Sequence, residues 1–188
     1  MLTDQIKNYR DMVTLKDGVS VLLRPVIVED RQRLIDLFAP LGEEDLRYMR
    51  DDVRNPAMID HWCNDSDFQH ALPLLALVNE RVVGYAALHF RGGPERHIGE
   101  VRIFLAKDFR QRGLGTRMLN RLIGLARHQG LHILEARVVA DQSKVIKAFQ
   151  YLGFNFHCTF DDYFMLPDGD LRDVAVLFLT LRKKTDEF

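Results

Sequence analysis

The 188 residues are enough for one domain with a substantial core, and 47% of them are hydrophobic, which favours folding over disorder. The formal net charge of −1 excludes the strongly basic balance of a non-specific nucleic-acid-binding domain. No stretch reaches the roughly 18 apolar residues of a membrane span, and the start lacks a basic region followed by an apolar run. We therefore expect a single cytoplasmic domain, residues 1–188, that binds neither nucleic acid nor membrane.

The cysteines and histidines are too few or too scattered for a disulfide framework or a metal site. Cys63 and Cys158 form no Cys-x-x-Cys pair, so we expect buried, reduced thiols. The seven histidines lack the spacing of metal ligands. The sequence therefore predicts no metal site.

The first half of the chain predicts a strand, two helical regions and two further strands. These elements lie at residues 19–24, 29–38, 43–62, 74–78 and 82–88. Pro25 ends the first strand, and Pro56 divides the second helical region. Asn79-Glu80-Arg81 joins the last two strands, which predicts a β-hairpin.

The second half predicts the order strand, helix, strand, helix, strand, strand. These elements lie at residues 99–106, 114–129, 133–139, 142–152, 154–160 and 173–181. Leu114, Met118, Leu122 and Ala126 recur at a spacing of four, which gives the first of these helices one buried face. Gly153 ends the second helix. The alternation of strands and helices predicts an α/β protein.

Two glycines follow a basic pair between the strand at 99–106 and the helix at 114–129. The segment reads Arg110-Gln111-Arg112-Gly113-Leu114-Gly115-Thr116. The first turn of a helix leaves backbone N–H groups unpaired, and glycines allow an anion to approach them closely. A dinucleotide fingerprint would need glycine in place of Met118, and a Walker A loop would need Gly-Lys-Ser/Thr after Leu114. The sequence predicts a pyrophosphate cradle; the alternative is an arginine-rich turn that only joins a strand to a helix.

With a strand before this loop and a strand and helix after it, residues 100–154 resemble the acetyl-CoA-binding core of the GNAT superfamily of N-acetyltransferases. The resemblance implies an α/β (α+β) fold, with a mixed, mostly antiparallel sheet of six or seven strands flanked by about four helices. It also implies acetyl-CoA as co-substrate, an amine as acceptor, and a monomer or homodimer.

The N-terminal segments are similar, in their order, to the bacterial Pat-type protein-lysine acetyltransferases. These segments are Thr14-Leu15-Lys16-Asp17-Gly18, Leu23-Arg24-Pro25, Leu41-Gly42-Glu43-Glu44 and Arg47-Tyr48-Met49-Arg50. The Pat-type second helix carries Leu-Ser-x-Glu-Ser-x-Tyr-x-Arg-Phe, and here Gly42, Asp45 and Asp51 replace the two serines and the phenylalanine. The alternative is that these matches are general GNAT features and that the acceptor is not a protein.

The resemblance implies where the coenzyme binds. Its pyrophosphate would contact the backbone amides of residues 111–116, and Arg110 and Arg112 would add charge-assisted bonds. Its pantetheine arm would run beside residues 103–105, where the family's strand splays at a bulge and one amide polarises the thioester carbonyl. Gln142 stands where relatives often use asparagine. The implied coenzyme-binding residues are Ile103, Phe104, Leu105, Arg110, Gln111, Arg112, Gly113, Leu114, Gly115, Thr116 and Gln142.

Glu100 is the implied general base, because Pat-type enzymes carry a glutamate there that removes the proton of the ammonium group, directly or through water. Partial burial of this carboxyl group would raise its pKa toward the working range. Two alternatives are a structural ion pair with Arg102 or His97, and a proton relay through His97.

Phe149 stands where many GNAT enzymes carry a tyrosine that protonates the leaving thiolate. Tyr151 follows two residues later and would point to a different face of the helix, so it does not replace that tyrosine. Water is then the expected proton donor, since a thiolate has a pKa close enough to neutrality to make a dedicated acid optional.

Three functions remain open. A protein-lysine acetyltransferase is favoured by the Pat-like segments. A small-amine acetyltransferase would be favoured by an acidic acceptor pocket, for which the candidates are Asp45, Asp51, Asp52 and Asp65. A non-catalytic acyl-CoA sensor fits the loss of the tyrosine, but Glu100 argues against it. By resemblance, Trp62 and Phe68 border the acceptor groove, although aromatic residues at such spacing are more often core.

Overall fold

A computed structural model describes residues 6–64 and 68–182. Within these ranges the elements with full bounds are eight strands, five α-helices and three short 3₁₀ helices. The strands are β1 (Asp11–Thr14), β2 (Ser20–Pro25), β3 (Ala71–Val78), β4 (Arg81–Phe90), β5 (Ile98–Leu105), β6 (Ile133–Val139), β7 (Asn155–Met165) and β8 (Leu171–Thr180). The helices are α1 (Arg31–Phe38), α2 (Glu43–Leu46), α3 (Pro56–Asn64), α4 (Leu114–His128) and α5 (Ser143–Tyr151).

The strands form one mixed sheet in the order β1-β2-β3-β4-β5-β6-β8-β7. Strands β5 and β6 are parallel, and the connection between them carries helix α4. The pairs β1–β2, β2–β3, β6–β8 and β7–β8 are antiparallel. The predicted fold class, with a mixed and mostly antiparallel sheet, is confirmed.

The prediction of six or seven strands was too low, because β1 was missed. This strand has only four residues, and only Val13 among them is buried. Such a short run gives no clear alternation of apolar and polar residues. The strand expected at residues 19–24 is therefore the second strand, β2, not the first.

The chain divides into two compact units. The first contains residues 1–87 and 102–119, and the second contains residues 88–101 and 120–188. The single domain expected for residues 1–188 stays a prediction. Large side chains buried in the first unit are Leu23, Leu34, Phe38, Ile59, Leu72, Leu74, Leu75, Leu114 and Met118. In the second unit, Leu88, Leu122 and Leu134 are the corresponding large side chains.

The loop between β3 and β4 illustrates how local residues determine a turn. Asn79 and Glu80 have φ angles of 46° and 65°, both in the left-handed region. Two left-handed residues form the type I′ geometry that matches the twist of a tight hairpin, and asparagine tolerates this conformation well. The predicted hairpin connection is confirmed at this position.

A buried ion pair fixes the entry to helix α1. Arg24, at the end of β2, donates two hydrogen bonds of 2.5 and 2.6 Å to Asp30, whose carboxylate also accepts the amide of Ile27 at 3.0 Å. Asp30 is completely buried. These charge-assisted hydrogen bonds tie the end of the strand to the start of the helix.

The two cysteines differ in exposure. Cys63 is buried, and that burial raises the pKa of its thiol to about 11, whereas Cys158 is partly exposed. The expectation of a buried thiol is therefore right for Cys63 and wrong for Cys158. Across residues 6–64 and 68–182, no helix has the length and apolar character needed to cross a bilayer.

Candidate active site

The predicted cradle is a loop with two left-handed residues. We call residues 110–116 the glycine loop. Gln111 has a φ of 61° and Gly113 a φ of 85°. A Cβ atom at Gly113 would meet nothing within 4 Å, so this glycine is required by the backbone conformation rather than by space. When left-handed residues alternate with right-handed ones in a turn, the N–H groups of successive residues point toward one concavity. Such a concavity binds anions.

The amide groups of the glycine loop are available as donors. The first amide with an intrahelical partner is that of Arg117, which donates to the carbonyl of Gly113 at 3.2 Å. Among the described residues, no backbone carbonyl accepts from the amides of residues 111–116. These amides lie at the positive end of α4, a 15-residue helix. The loop therefore has the donors and the electrostatic field that an anionic phosphate group requires.

Gly115 brings the start of α4 close to the end of β5. A Cβ atom at Gly115 would lie 3.3 Å from Cδ1 of Leu105 and 3.7 Å from Cδ1 of Ile103. Gly84 on β4 performs the same role on another side of Leu105, where an added Cβ atom would lie 2.9 Å from Cδ2. Ile103, Phe104 and Leu105 remain partly exposed. The structure thus brings the predicted arm-binding residues and the glycine loop together within the first unit.

Arg110 is held by groups on both sides of the loop. Its Nε donates to the carbonyl of Leu105 at 3.1 Å, and one terminal nitrogen donates to Asp45 on α2 at 3.0 Å. Nζ of Lys107 lies 2.8 Å from the other carboxylate oxygen of Asp45. Burial alone would raise the pKa of Asp45, but the hydrogen bonds from Lys107 and Arg110 outweigh it and lower the pKa below its ordinary value.

Arg112 is paired in a similar way with the turn between β1 and β2. Its Nε donates to Asp17 at 2.5 Å, and another nitrogen donates to the carbonyl of Asp108 at 3.1 Å. The guanidinium lies 4.3 Å from the ring centroid of Phe109. The hydrogen bond from Arg112, followed by that from the amide of Val19, lowers the pKa of Asp17. Both predicted phosphate-binding arginines are therefore paired with aspartates, which the sequence did not reveal.

Glu100 lies on β5, and only 6% of its surface is exposed. In the parallel register of β5 and β6, Glu100 is the direct partner of Glu135. Residues that are direct partners point to the same face of a sheet. Glu135 is 3% exposed. We call Glu100 and Glu135 the carboxylate pair, because two buried acids stand at neighbouring positions of one face.

Two arginines neutralise the second member of this pair. Arg91 donates to Glu135 at 2.9 Å, and Arg137 donates to the same carboxylate oxygen through its Nε. Arg137 also donates to the hydroxyl of Tyr163 at 3.3 Å. Sequence reasoning missed Glu135. The signal was present, because Glu135 is an acid in an apolar strand, the same feature that singled out Glu100.

Gln142 lies just before α5, in the second unit. Its amide donates to the carbonyl of Val139 at 2.9 Å, and its carbonyl accepts the amides of Val145 and Ile146. Its backbone therefore starts the helix. The role of its side chain toward the coenzyme stays a prediction.

Phe149 is a core residue of the second unit. It is 4% exposed, and its ring packs edge-on against Phe154 at a centroid distance of 5.1 Å. Tyr151 is 84% exposed. Neither residue offers a buried hydroxyl in place of the tyrosine that many relatives use.

Trp62 and Phe68 are both buried, at 9% and 8% exposure, and Trp62 belongs to an aromatic cluster. Trp62 stacks on Tyr85 at 4.7 Å, and Phe38 packs edge-on against both rings. Phe38 also contacts Phe104 of β5 at 5.3 Å. Burial raises the pKa of Tyr85, so its hydroxyl keeps its proton. The burial of Trp62 and Phe68 favours the alternative that they are core residues.

Three of the four aspartates considered for an acidic pocket are already engaged. Asp45 pairs with Lys107 and Arg110, as described above. Asp51 accepts from Arg102 at 3.0 Å, and Asp52 accepts the amide of Arg54 at 3.2 Å. Asp65 lies outside the described residues. In the part of the chain that the structure describes, no three acidic, histidine or cysteine residues form a group able to hold a metal ion.

Comparisons with known proteins point to one family. Residues 32–154 match the model of the acetyltransferase (GNAT) family. An uncharacterised N-acetyltransferase of Methanocaldococcus jannaschii is 33% identical over 81 residues, 41% of this chain and 36% of the relative. An acetyltransferase of Pseudomonas aeruginosa is 30% identical over 125 residues, 62% of this chain and 65% of the relative. The chain thus matches less than two thirds of the length of either relative.

Solved structures share the fold at low sequence identity. The GNAT domain of S. lividans PAT superposes with a TM-score of 0.77 at 22% identity, covering 91% of this chain and 96% of that domain. The putative acetyltransferase yncA from Salmonella typhimurium, solved with its cofactor acetyl-CoA, gives a TM-score of 0.74 at 19% identity, covering 88% of this chain and 96% of that protein. At such identities the likeness concerns the fold alone.

Proposed function

This chain belongs to the acetyltransferase (GNAT) family, and we propose that it transfers an acetyl group from acetyl-CoA to a primary amine, with a protein lysine as the acceptor. The observation that carries the proposal is the glycine loop, in which the six amides of residues 111–116 donate to no backbone carbonyl of the described residues, at the start of α4. These donors suit the pyrophosphate of the coenzyme. Arg110 and Arg112 keep further N–H groups beyond those bound to Asp45 and Asp17, and these would add charge-assisted bonds.

The thioester arm would lie along the end of β5. Ile103, Phe104 and Leu105 are partly exposed there, so they offer apolar contacts as well as backbone groups. A backbone amide directed at the thioester oxygen would stabilise the negative charge that develops when the amine attacks. The expected splay of β5 at this point stays a prediction.

Glu100 is the proposed general base. Its carboxyl group lies on β5, only 6% exposed, where Pat-type enzymes, by resemblance, carry the glutamate that takes the proton of the ammonium group. The ammonium group of the acceptor gives one proton to Glu100, and the free amine then attacks the carbonyl carbon. A C–N bond forms, and the C–S bond breaks with its electron pair on sulfur. The nitrogen passes its second proton to water, and water in turn supplies the proton that the thiolate takes, since Phe149 has no hydroxyl.

Two observations favour a protein acceptor over a small amine. The N-terminal segments resemble those of Pat-type enzymes, and a domain named PAT shares the fold. In addition, Asp45 and Asp51 are bound to cationic side chains, so neither contributes an unpaired negative charge to a pocket for polyamines. A lysine on a protein surface needs no such acidic pocket.

The test measures thiol release from acetyl-CoA with lysine peptides, an intact protein rich in surface lysines, polyamines and amino acids as acceptors. Wild type is compared with Glu100→Gln and with Glu29→Gln, a matched control on an exposed glutamate. We expect release with peptide or protein lysines, a loss of about 10²-fold or more in turnover for Glu100→Gln, and unchanged turnover for Glu29→Gln. Coenzyme affinity, measured by calorimetry, should be equal in all three proteins.

Each failure of this test has a different meaning. Full turnover in Glu100→Gln would remove Glu100 from the mechanism. Release with small amines alone would replace the protein acceptor by a metabolite. Tight coenzyme binding without release on any acceptor would leave the acyl-CoA sensor as the function.

A further inference from the structure

A cavity of about 480 Å³ lies in the second unit, at the start of β5 and β6. Its lining residues are Pro94, Arg96, His97, Gly130 and His132. Its volume is within the range of small-molecule sites. None of these residues belongs to the glycine loop or to the carboxylate pair, so the cavity is separate from the residues proposed for acetyl transfer.

The lining of this cavity is basic. The guanidinium of Arg96 uses one N–H on the carbonyl of Gly93 at 3.2 Å, which leaves most of its donor fork for a ligand. The imidazoles of His97 and His132 meet edge-on with their centroids 5.9 Å apart. All five lining residues are described by the structure, and none of them is acidic. Glu95, the nearest acid in the sequence, pairs with Arg91 at 3.2 Å.

A second guanidinium lies near Gly130, one of the lining residues. A terminal nitrogen of Arg182 lies 3.8 Å from the position that a Cβ atom would take at Gly130. Gly130 has a φ of 77°, which a side-chain-bearing residue rarely adopts. The glycine therefore serves the turn after α4 and, at the same time, leaves room for the guanidinium beside the cavity.

The backbone holds the two histidines in place. The carbonyl of His97 accepts the amides of His132 and Ile133 at 2.9 and 3.2 Å, and the carbonyl of His132 accepts the amide of Leu181 at 2.8 Å. These bonds connect the start of β5, the start of β6 and the end of β8. A ligand therefore meets donors whose backbone is already fixed, which lowers the entropic cost of binding.

We propose that this cavity binds a compact oxyanion with two negative charges, such as the phosphate group of a small metabolite. The planar fork of Arg96 matches the oxygens of such an anion, and imidazole N–H groups add directional donors. A small dicarboxylate carries the same two negative charges and offers the same kind of hydrogen-bond acceptors. It is therefore the alternative ligand to a phosphate group. The site is independent of the proposed acetyl transfer.

The test uses isothermal titration of the full chain with inorganic phosphate and, separately, with malonate, at constant ionic strength. The protein is first saturated with CoA, because the glycine loop also attracts anions. The site variant is Arg96→Gln/His132→Gln. The matched control is Arg127→Gln/His128→Gln, which changes the same residue types in the last turn of α4 and replaces no side chain of the cavity lining.

We expect wild type and the control to bind one equivalent of phosphate or malonate with affinities within about twofold of each other. The site variant should bind at least about tenfold more weakly, the loss that follows from removing one or two charge-assisted bonds. Phosphate binding identifies a phosphorylated ligand, and malonate binding without phosphate binding identifies a dicarboxylate.

Two results would overturn the proposal. One is the absence of binding by either anion to wild type. The other is equal binding by the site variant, the control and wild type. The calorimetric signal would then come from non-specific attraction of anions to surface charge. Circular dichroism of both variants tests whether each is folded, and a loss of binding by a folded variant reports on the site.

Discussion

The glycine loop offers backbone amides to solvent, whereas the carboxylate pair consists of side chains that are nearly completely buried. Substitutions other than proline leave an amide group in place, so the amides of the loop are lost mainly through a change in its conformation. The carboxylate pair is sensitive to a single side-chain substitution, because loss of one carboxylate leaves the arginines that donate to it without a counterion. We therefore expect changes in the pair to affect stability most, and changes in the loop to affect coenzyme binding most.

Glu135→Gln should have the largest effect on stability. It removes the charge to which Arg91 and Arg137 both donate, and the side chains of these arginines are only 17% and 21% exposed. We expect a loss of about 3 kcal/mol in the free energy of unfolding, measured by urea denaturation. Glu95→Gln, at an acid that is 60% exposed, is the control and should cost less than about 1 kcal/mol. Equal costs for the two variants would show that Glu135 is not the centre of this cluster.

Gly113→Ala should have the next largest effect, and it acts through the backbone. Its φ of 85° costs an alanine about 1–2 kcal/mol, although the added Cβ atom meets nothing within 4 Å. We expect a similar loss of stability and weaker binding of CoA by calorimetry. Gly124→Ala, inside α4 with equally open space, is the matched control and should stabilise the protein by about 1 kcal/mol. Unchanged CoA affinity in Gly113→Ala would argue against the loop as the coenzyme site.

The glycine loop and the carboxylate pair also differ in how far the sequence predicts them. Local features determine the loop: two glycines, a helix start and the strand before it are all adjacent in the chain. The sequence thus predicted a glycine-dependent turn at Gly113, and its positive φ agrees, while its role toward the coenzyme stays a prediction. The same is true of Asn79 and Glu80, because hairpin loops depend on neighbouring residues.

Partners distant in the chain could not be predicted. Arg112 and Asp17 are 95 residues apart, and Arg91 and Glu135 are 44 apart. Their pairing depends on the register of strands and on how loops fold over them, which periodicity does not encode. Strand β1 was missed for a related reason, because its pairing with β2 stabilises it more than its own four residues do.

Arg112→Gln and Asp17→Asn test whether the aspartate and the coenzyme compete for the same guanidinium. Asp17 occupies Nε of Arg112, so its removal frees donors for a phosphate group. We expect CoA affinity to fall about fivefold in Arg112→Gln and to rise modestly in Asp17→Asn, with both effects reduced at high salt. If both variants weaken binding equally, Asp17 orients Arg112 rather than competing for it.

Acid stability should show the smallest effect, at the contact between the glycine loop and α2. The pKa of Asp45 is lower in the folded protein than the ordinary pKa of an aspartate. Its ion pairs therefore stabilise the fold fully when the pH is above that ordinary pKa. This stabilisation is lost as the pH falls through the lower pKa of the folded protein. Asp45→Asn should therefore lower stability by less than about 1 kcal/mol at pH 7, since Lys107 and Arg110 are largely exposed, and the difference from wild type should shrink as the pH falls below about 4, the ordinary pKa of an aspartate. Urea denaturation between pH 7 and pH 3 measures both. A constant difference across this range would mean that packing of the Asp45 side chain, rather than its charge, connects α2 to the loop.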